Sequence, residues 1–216
     1  MLHYVRKVNQ TEDKLGYNLS EDPQAFSELL DLIEKAGYQT ISTSALLDQS
    51  HPLPKKPIVL VFDDGYEDFY TNAWPELQKH NFTASVAVIT SSTHQDTTGK
   101  VYLTEKQVQE LDQKGIEILS HTVTHPDLSK LTVEQQTKEL QDSQTTLEKI
   151  LKHPITGLVY PSGKYNEDTI KIAQQLGYQI AFTTKPGLAD SNHNPFEQPR
   201  IRVDNRENLK SLLPRL

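Results

Sequence analysis

The sequence predicts an α/β protein, a (β/α) barrel of about seven strands, on three observations. Short apolar runs alternate with helix-period stretches along the whole chain, which implies a mostly parallel sheet with helices outside. Seven or eight such units are about the number that closes a barrel. The runs 57–62 (PIVLVF) and 82–89 (FTASVAVI) lack polar alternation, as strands buried on both faces should.

Each element has a local warrant. Residues 1–5 (MLHYV) read as a strand, and 6–20 as a loop. A helix over 22–36 sets Phe26, Leu29, Leu30 and Ile33 on one face, and Gly37 follows as its cap before strand 38–42 (YQTIS). After the two apolar runs comes a loop over 91–100 (SSTHQDTTGK), then Gly115, a cap just past a helix, leading into strand 115–120 (GIEILS). A helix over 133–152 aligns Leu140, Leu147, Ile150 and Leu151 ahead of strand 155–160 (ITGLVY). A helix over 167–176 aligns Ile170, Ile172, Ala173 and Leu176, and Gly177 caps it before strand 178–183 (YQIAFT). A loop over 185–199, rich in Pro, Asn and Asp, precedes the last strand, 200–203 (RIRV). No break in composition divides the 216 residues, so 1–216 is expected to be a single domain.

Composition narrows the function. The net charge is −7 with no Lys/Arg block, which disfavours nucleic acid and anionic membrane as partners. There is no 18-residue apolar span, so no membrane-spanning segment is expected. The absence of cysteine removes disulfides, thiolate metal sites and thiol nucleophiles together. It fits an extracellular or cell-surface protein, with a signal or anchor expected upstream of Met1. A monomer is expected.

Three polar clusters each follow a strand directly. VLVFDDGYED puts Asp63, Asp64 and Gly65 at the end of one run, and EILSHTVTH puts His121 and His125 at the end of another. GLVYPSGKYN puts Tyr160, Pro161, Ser162 and Gly163 after a third. Strand C-termini of α/β barrels open on one face, where active sites sit. Alone, Asp-Asp-Gly is a turn signal and His-x-x-x-His a weak pattern; together they suit a catalytic metal centre. Such a centre takes three N/O ligands and leaves a position for water, and here one aspartate remains free as a base. His51, His80, His94, His153 and His193 read as exposed bystanders. Trp74 reads as packing.

VFDDG, SHTVTHPDLSKL and YPSGKYN resemble the first three motifs of the polysaccharide deacetylases, the NodB-homology domain or carbohydrate esterase family 4. The resemblance spans nearly the whole chain, from LHYVR to PRIRV. It implies a distorted barrel of that type, one divalent metal ion, usually zinc with cobalt or nickel as alternatives, and hydrolysis of N-acetyl groups. The implied substrate is a polysaccharide containing N-acetylglucosamine. By motif position it implies Asp63 as general base and Asp64, His121 and His125 as metal ligands. It also implies an oxyanion and substrate contact from the third motif, at Tyr160 and the backbone N–H of Ser162.

Two departures from the family pattern stand out. The third-motif arginine that orients the base in many members is matched here by Val159, and Arg200 or Arg202 is expected to fill the role. The acid histidine of the C-terminal Leu-x-His motif has no counterpart after His193. Some members, among them deacetylases of biofilm poly-N-acetylglucosamine, carry it on an N-terminal strand in a Tyr-His context. MLHYVRKV looks like that arrangement, with His3 as the acid. It tilts the substrate toward poly-β-1,6-N-acetylglucosamine, with peptidoglycan and chitin oligomers open. An O-acetyl esterase on xylan and a non-catalytic carbohydrate-binding relative are the alternatives.

Overall fold

The computed structural model describes residues 1–47, 50–93, 101–189 and 193–205. Its centre is a parallel sheet of β5 (Val61–Phe62), β6 (Ser85–Val88), β7 (Glu117–Ser120), β8 (Gly157–Val159) and β9 (Ile180–Phe182), in that order. The two chain ends close it into a ring. On one side Leu2 N–H donates to Val61 O and Asp63 N–H to Leu2 O, both at 2.9 Å. On the other, Gln198 N–H donates to Ala181 O and Thr183 N–H to Gln198 O. Between them the Met1 ammonium donates to Ile201 O at 2.7 Å and Val203 N–H to Met1 O at 3.0 Å. Five strands and two extended terminal segments therefore make the expected seven-membered barrel.

Strand parity sorts the side chains into two cores. Val61, Ala87, Leu119, Val159, Ile180 and Phe182 form one cluster with no helix residue, the barrel interior, and Leu46, Leu47 and Val59 pack against it. Their neighbours along the strands, among them Phe62, Val86, Ile118, Leu158 and Ala181, belong to a second and larger cluster with the helices. That outer layer is supplied by α2 (Pro23–Lys35), α3 (Trp74–Lys79), α4 (Glu105–Gln113), α5 (Val133–Leu151) and α6 (Glu167–Gln175). The glycines expected as caps close α2, α4 and α6 by one device. Gly37, Gly115 and Gly177 have φ of 78°, 85° and 85°, and the next N–H reaches back to Ile33, Leu111 and Ala173 O respectively.

The structure departs from the sequence expectations at three places. The run 57–62 is not one strand: β4 (Pro57–Ile58) pairs with β3 (Gln39–Thr40), while Val61–Phe62 joins the barrel. The segment 6–20 is not all loop, because α1 (Lys14–Leu19) forms behind Asp13, whose carboxylate accepts Gly16 N–H at 2.7 Å. It leads into β2 (Ser20–Glu21), which pairs with β1 (Tyr4–Val5). The helical stretch Phe69–Lys79 was not expected, and of α4 only the Gly115 cap was. Pro75 masks the first, though a proline at N1/N2 is tolerated there. The second has only two buried apolar residues, yet its Thr104–Gln107 capping box is a start signal legible in the sequence.

Candidate active site

Two loops meet over the end of β6. Gly65, with φ 73°, lies so close to it that an added Cβ would sit 3.3 Å from Val88 Cα. His121 N–H donates to Val88 O at 3.0 Å from the other side. This brings Asp64 to the two histidines: Asp64 Oδ1 lies 3.3 Å from His121 Nε2 and 3.5 Å from His125 Nε2. His121 Nδ1 is 2.7 Å from Val159 O, an oxygen that only accepts, so Nδ1 carries the proton. In the neutral ring the Nε2 of His121 is then a lone pair facing a carboxylate oxygen, a contact that a proton or a bound cation between them relieves. The three groups thus fit a divalent ion, with the carbonyl of Val159 fixing the tautomer.

The backbone here is held in an uncommon region. Asp64 (φ 73°), Thr122 (φ 68°), His125 (φ 59°) and Ser162 (φ 52°) are four of the six described non-glycine residues with left-handed backbone. Thr122 is β-branched, for which this conformation is a genuine outlier. Each such residue costs on the order of 1–3 kcal/mol and persists only where its surroundings over-determine it.

Asp63 points elsewhere. Arg200 donates to it through both terminal nitrogens, to Oδ1 at 2.6 Å and Oδ2 at 2.8 Å, and anchors itself by Nε to Thr183 O at 2.9 Å. Both side chains are buried, at 5% and 4% exposure, so this is a desolvated fork-to-fork pair. Burial alone would raise the Asp63 carboxyl, but the Arg200 charge and hydrogen bonds, with His3 and His121, hold it below the ordinary carboxylate value. It stays an ionised acceptor.

His3 Nε2 stands 4.0 Å from Asp63 Oδ2. Burial lowers the His3 pKa from 6.5 against the pull of Asp63 and Asp64. Of the two arginines expected to face the base, Arg200 is the one that reaches it. Ser162 is exposed, and the two hydrogen bonds of its turn run from Gly163 and Lys164, leaving its own N–H unspent in them.

Tyr160 requires a correction. Its ring is fully buried and stacked on Tyr165 at 4.4 Å, and its N–H is committed to Phe182 O. Neither group is available to a substrate, because Val159 takes the inward position and parity turns Tyr160 out under the helices. Tyr66 and Tyr102, not expected at the site, are close to it instead: Tyr66 stacks on Tyr4 at 3.7 Å and on Tyr102 at 4.9 Å beside Gly65.

Of the expected bystanders, His51 and His193 are exposed, and His153 is bonded to Asp112. His94 lies outside the described residues. His80 is not exposed: its side chain is 10% accessible, stacked on Phe82 and bonded to Glu34 at 2.8 Å. Asp31 joins this group, but it is also paired with Lys35, which accounts for the cluster as surface ion pairing.

Comparison with known proteins agrees with this geometry. The profile of the polysaccharide deacetylase family matches residues 50–181. A Bacillus subtilis protein named as a polysaccharide deacetylase, YxkH, is 36% identical over 191 residues, covering 87% of this chain and 67% of its own length. A poly-β-1,6-N-acetyl-D-glucosamine N-deacetylase of Staphylococcus epidermidis is 26% identical over 226 residues, covering 94% of this chain and 77% of that one. The solved structure of the Streptococcus pyogenes deacetylase PplD in complex with acetate superposes with a TM-score of 0.90 at 33% identity, over 100% of this chain and 95% of that chain. The chain belongs to the polysaccharide deacetylase family.

Proposed function

We propose that this protein is a metal-dependent N-deacetylase of polysaccharide containing N-acetylglucosamine, acting outside the cell as a monomer through one domain over 1–216. Among such polymers we propose poly-β-1,6-N-acetylglucosamine, which the name of the Staphylococcus epidermidis relative supports. The observation that carries the reading is a division of labour between adjacent carboxylates. Asp64 faces the Nε2 atoms of two imidazoles, while Asp63 is held apart by Arg200.

Asp64, His121 and His125 would hold the divalent ion, with zinc favoured by two imidazoles and one carboxylate. A bound ion supplies a water of lowered pKa and polarisation of the acetyl carbonyl. The rest is the work of the chain. Asp63, ionised and locked in orientation, accepts the proton of the attacking water. The Ser162 N–H is free to donate to the developing oxyanion. His3, beside Asp63 and largely shielded from solvent, passes on to the leaving amine the proton that Asp63 has taken from the water, without which the tetrahedral adduct returns to amide. The acetate bound in the PplD complex, the second product of such a hydrolysis, supports the same class of reaction.

The test is acetate release from N-acetylglucosamine oligomers, β-1,6-linked and β-1,4-linked, beside acetylated xylan. Asp63→Asn should keep its metal and lose about 10²–10⁴-fold in turnover. His3→Ala should lose a similar factor on the amide and little on the ester, whose alkoxide-type leaving group needs less protonation. Preference for xylan, or full activity in Asp63→Asn, would defeat the reading.

A further inference from the structure

The loop that presents His125 has a backbone whose hydrogen bonds can be accounted for one by one. Thr122 N–H donates to Ser120 Oγ at 3.4 Å and His125 N–H to Thr122 Oγ1 at 3.0 Å. The Thr122 and Val123 carbonyls accept from Thr90 and Ser91 N–H. The two remaining N–H groups, of Val123 and Thr124, both donate to a single atom, Glu139 Oε2, at 2.9 Å each. Glu139 Oε1 takes the Thr124 hydroxyl at 2.7 Å. One carboxylate on α5 thus accepts three hydrogen bonds from two consecutive residues. Those residues lie between Thr122 and His125, which are both left-handed.

That placement is informative. A loop strained at both ends relaxes unless something outside it fixes the peptides between. Charge-assisted bonds to an anion are about twice as strong as neutral ones, and two convergent N–H groups suit an anion. The hydrogen bonds of Glu139 go to Val123 and Thr124, the backbone that aims the His125 ring, and not to the ligand side chains. Because α5 is 19 residues long and buries Leu140 and Leu147 in the outer core, it is a rigid base for this hold.

We propose that Glu139 is a positioning residue that keeps His125 in its ligating pose and so sets the affinity for the metal. The inference rests on reading Asp64, His121 and His125 as ligands. Metal-free protein, prepared by chelation, is titrated with zinc against a chromophoric competitor. Glu139→Ala should weaken zinc binding by about 10–100-fold, the usual effect of losing a group that orients a ligand. Glu139→Gln should fall between, since its carbonyl oxygen still accepts but its amide faces a donor. At saturating zinc, Glu139→Ala turnover should recover toward wild type, because the reacting groups are untouched.

A drop in melting temperature of the metal-free protein with unchanged zinc affinity would mean a merely structural contact and overturn the proposal. Should Glu139→Ala not fold, Thr124→Val and Glu139→Gln carry the same test: weaker zinc binding supports the proposal, and unchanged binding in both overturns it. A wild type that takes up no zinc overturns the metal reading and this inference with it. A wild type that binds zinc beside a Glu139→Ala of equal affinity overturns this inference alone.

Discussion

The two halves of the proposed site, its ligand half and its base half, are built by opposite means. The ligand half, Asp64 with His121 and His125, sits on loops with left-handed backbone, and two of its three members are four residues apart. The base half, Asp63 with Arg200 and His3, contains no left-handed residue, but Asp63 and Arg200 are 137 positions apart. It exists only because the terminal segments lie side by side, with Met1 bonded to Ile201 across 200 positions. Local strain creates the first half, and barrel closure creates the second. A lesion in the first should therefore cost function with little stability, and a lesion in the second should cost both.

The largest expected effect on activity comes from the ligand half. His125→Ala removes one ligand from a partly exposed loop, so metal content and turnover should both fall to background. The melting temperature, compared between metal-free proteins, should barely change. Elemental analysis and calorimetry read the two outcomes separately. A wild-type metal content would remove His125 from the ligand set, and a large loss of metal-free stability would erase the contrast between the halves.

Arg200→Ala comes next, and it strikes the closure. It leaves the Asp63 carboxylate buried without its partner, for which broken buried pairs cost about 3–5 kcal/mol. Turnover should fall by about 10²-fold, as when a reacting group is displaced by an ångström. Metal content should persist. Arg200→Lys should recover little of either, since a point charge cannot replace a two-pronged donor or the Nε bond to Thr183. Urea unfolding with acetate release decides it: activity lost without stability would place Arg200 outside the closure.

The same division explains what could be read from the sequence. Asp63, Asp64, His121 and His125 were legible because contiguous motifs at strand ends carry their own geometry. The ring of strands was legible from alternation alone. Arg200 and Arg202 could not be told apart: they share strand parity, and only the three-dimensional closure selects the one that reaches Asp63. Tyr160 was misjudged although the signal was present, since Val159 and Tyr160 must face opposite ways on a strand. Glu139 was illegible in principle. It acts on main-chain N–H groups 15 and 16 positions away, and no residue type announces that.

The smallest expected effect tests whether hydrogen bonding or charge docks the N-terminal strand that carries His3. Asp68 Oδ2 accepts Val5 N–H at 3.0 Å, and Asn72, one helical turn on, donates to Val5 O at 2.7 Å. Burial raises the Asp68 pKa from 3.8 to about 6, against the opposing pull of Arg6 and of backbone donors including Val5. A folded-state value above the unfolded one means that protonation favours the folded state. Stability linked to Asp68 is therefore fully present below pH 3.8 and lost as pH rises through 6. Asp68→Asn keeps an acceptor for Val5 and removes the buried charge. It should match wild type below pH 3.8, and above pH 6 it should be more stable by about 3 kcal/mol, the shift of about 2 pKa units being worth about 1.4 each. Activity with zinc at pH 7 should stay near wild type, because His3 remains docked. A variant less stable than wild type above pH 6 would mean that the Asp68 charge is itself the clasp, with Arg6 as its counter-ion. Closure at this edge would then be electrostatic and weakened by salt, unlike the Met1 and Leu2 ladder bonds beside it.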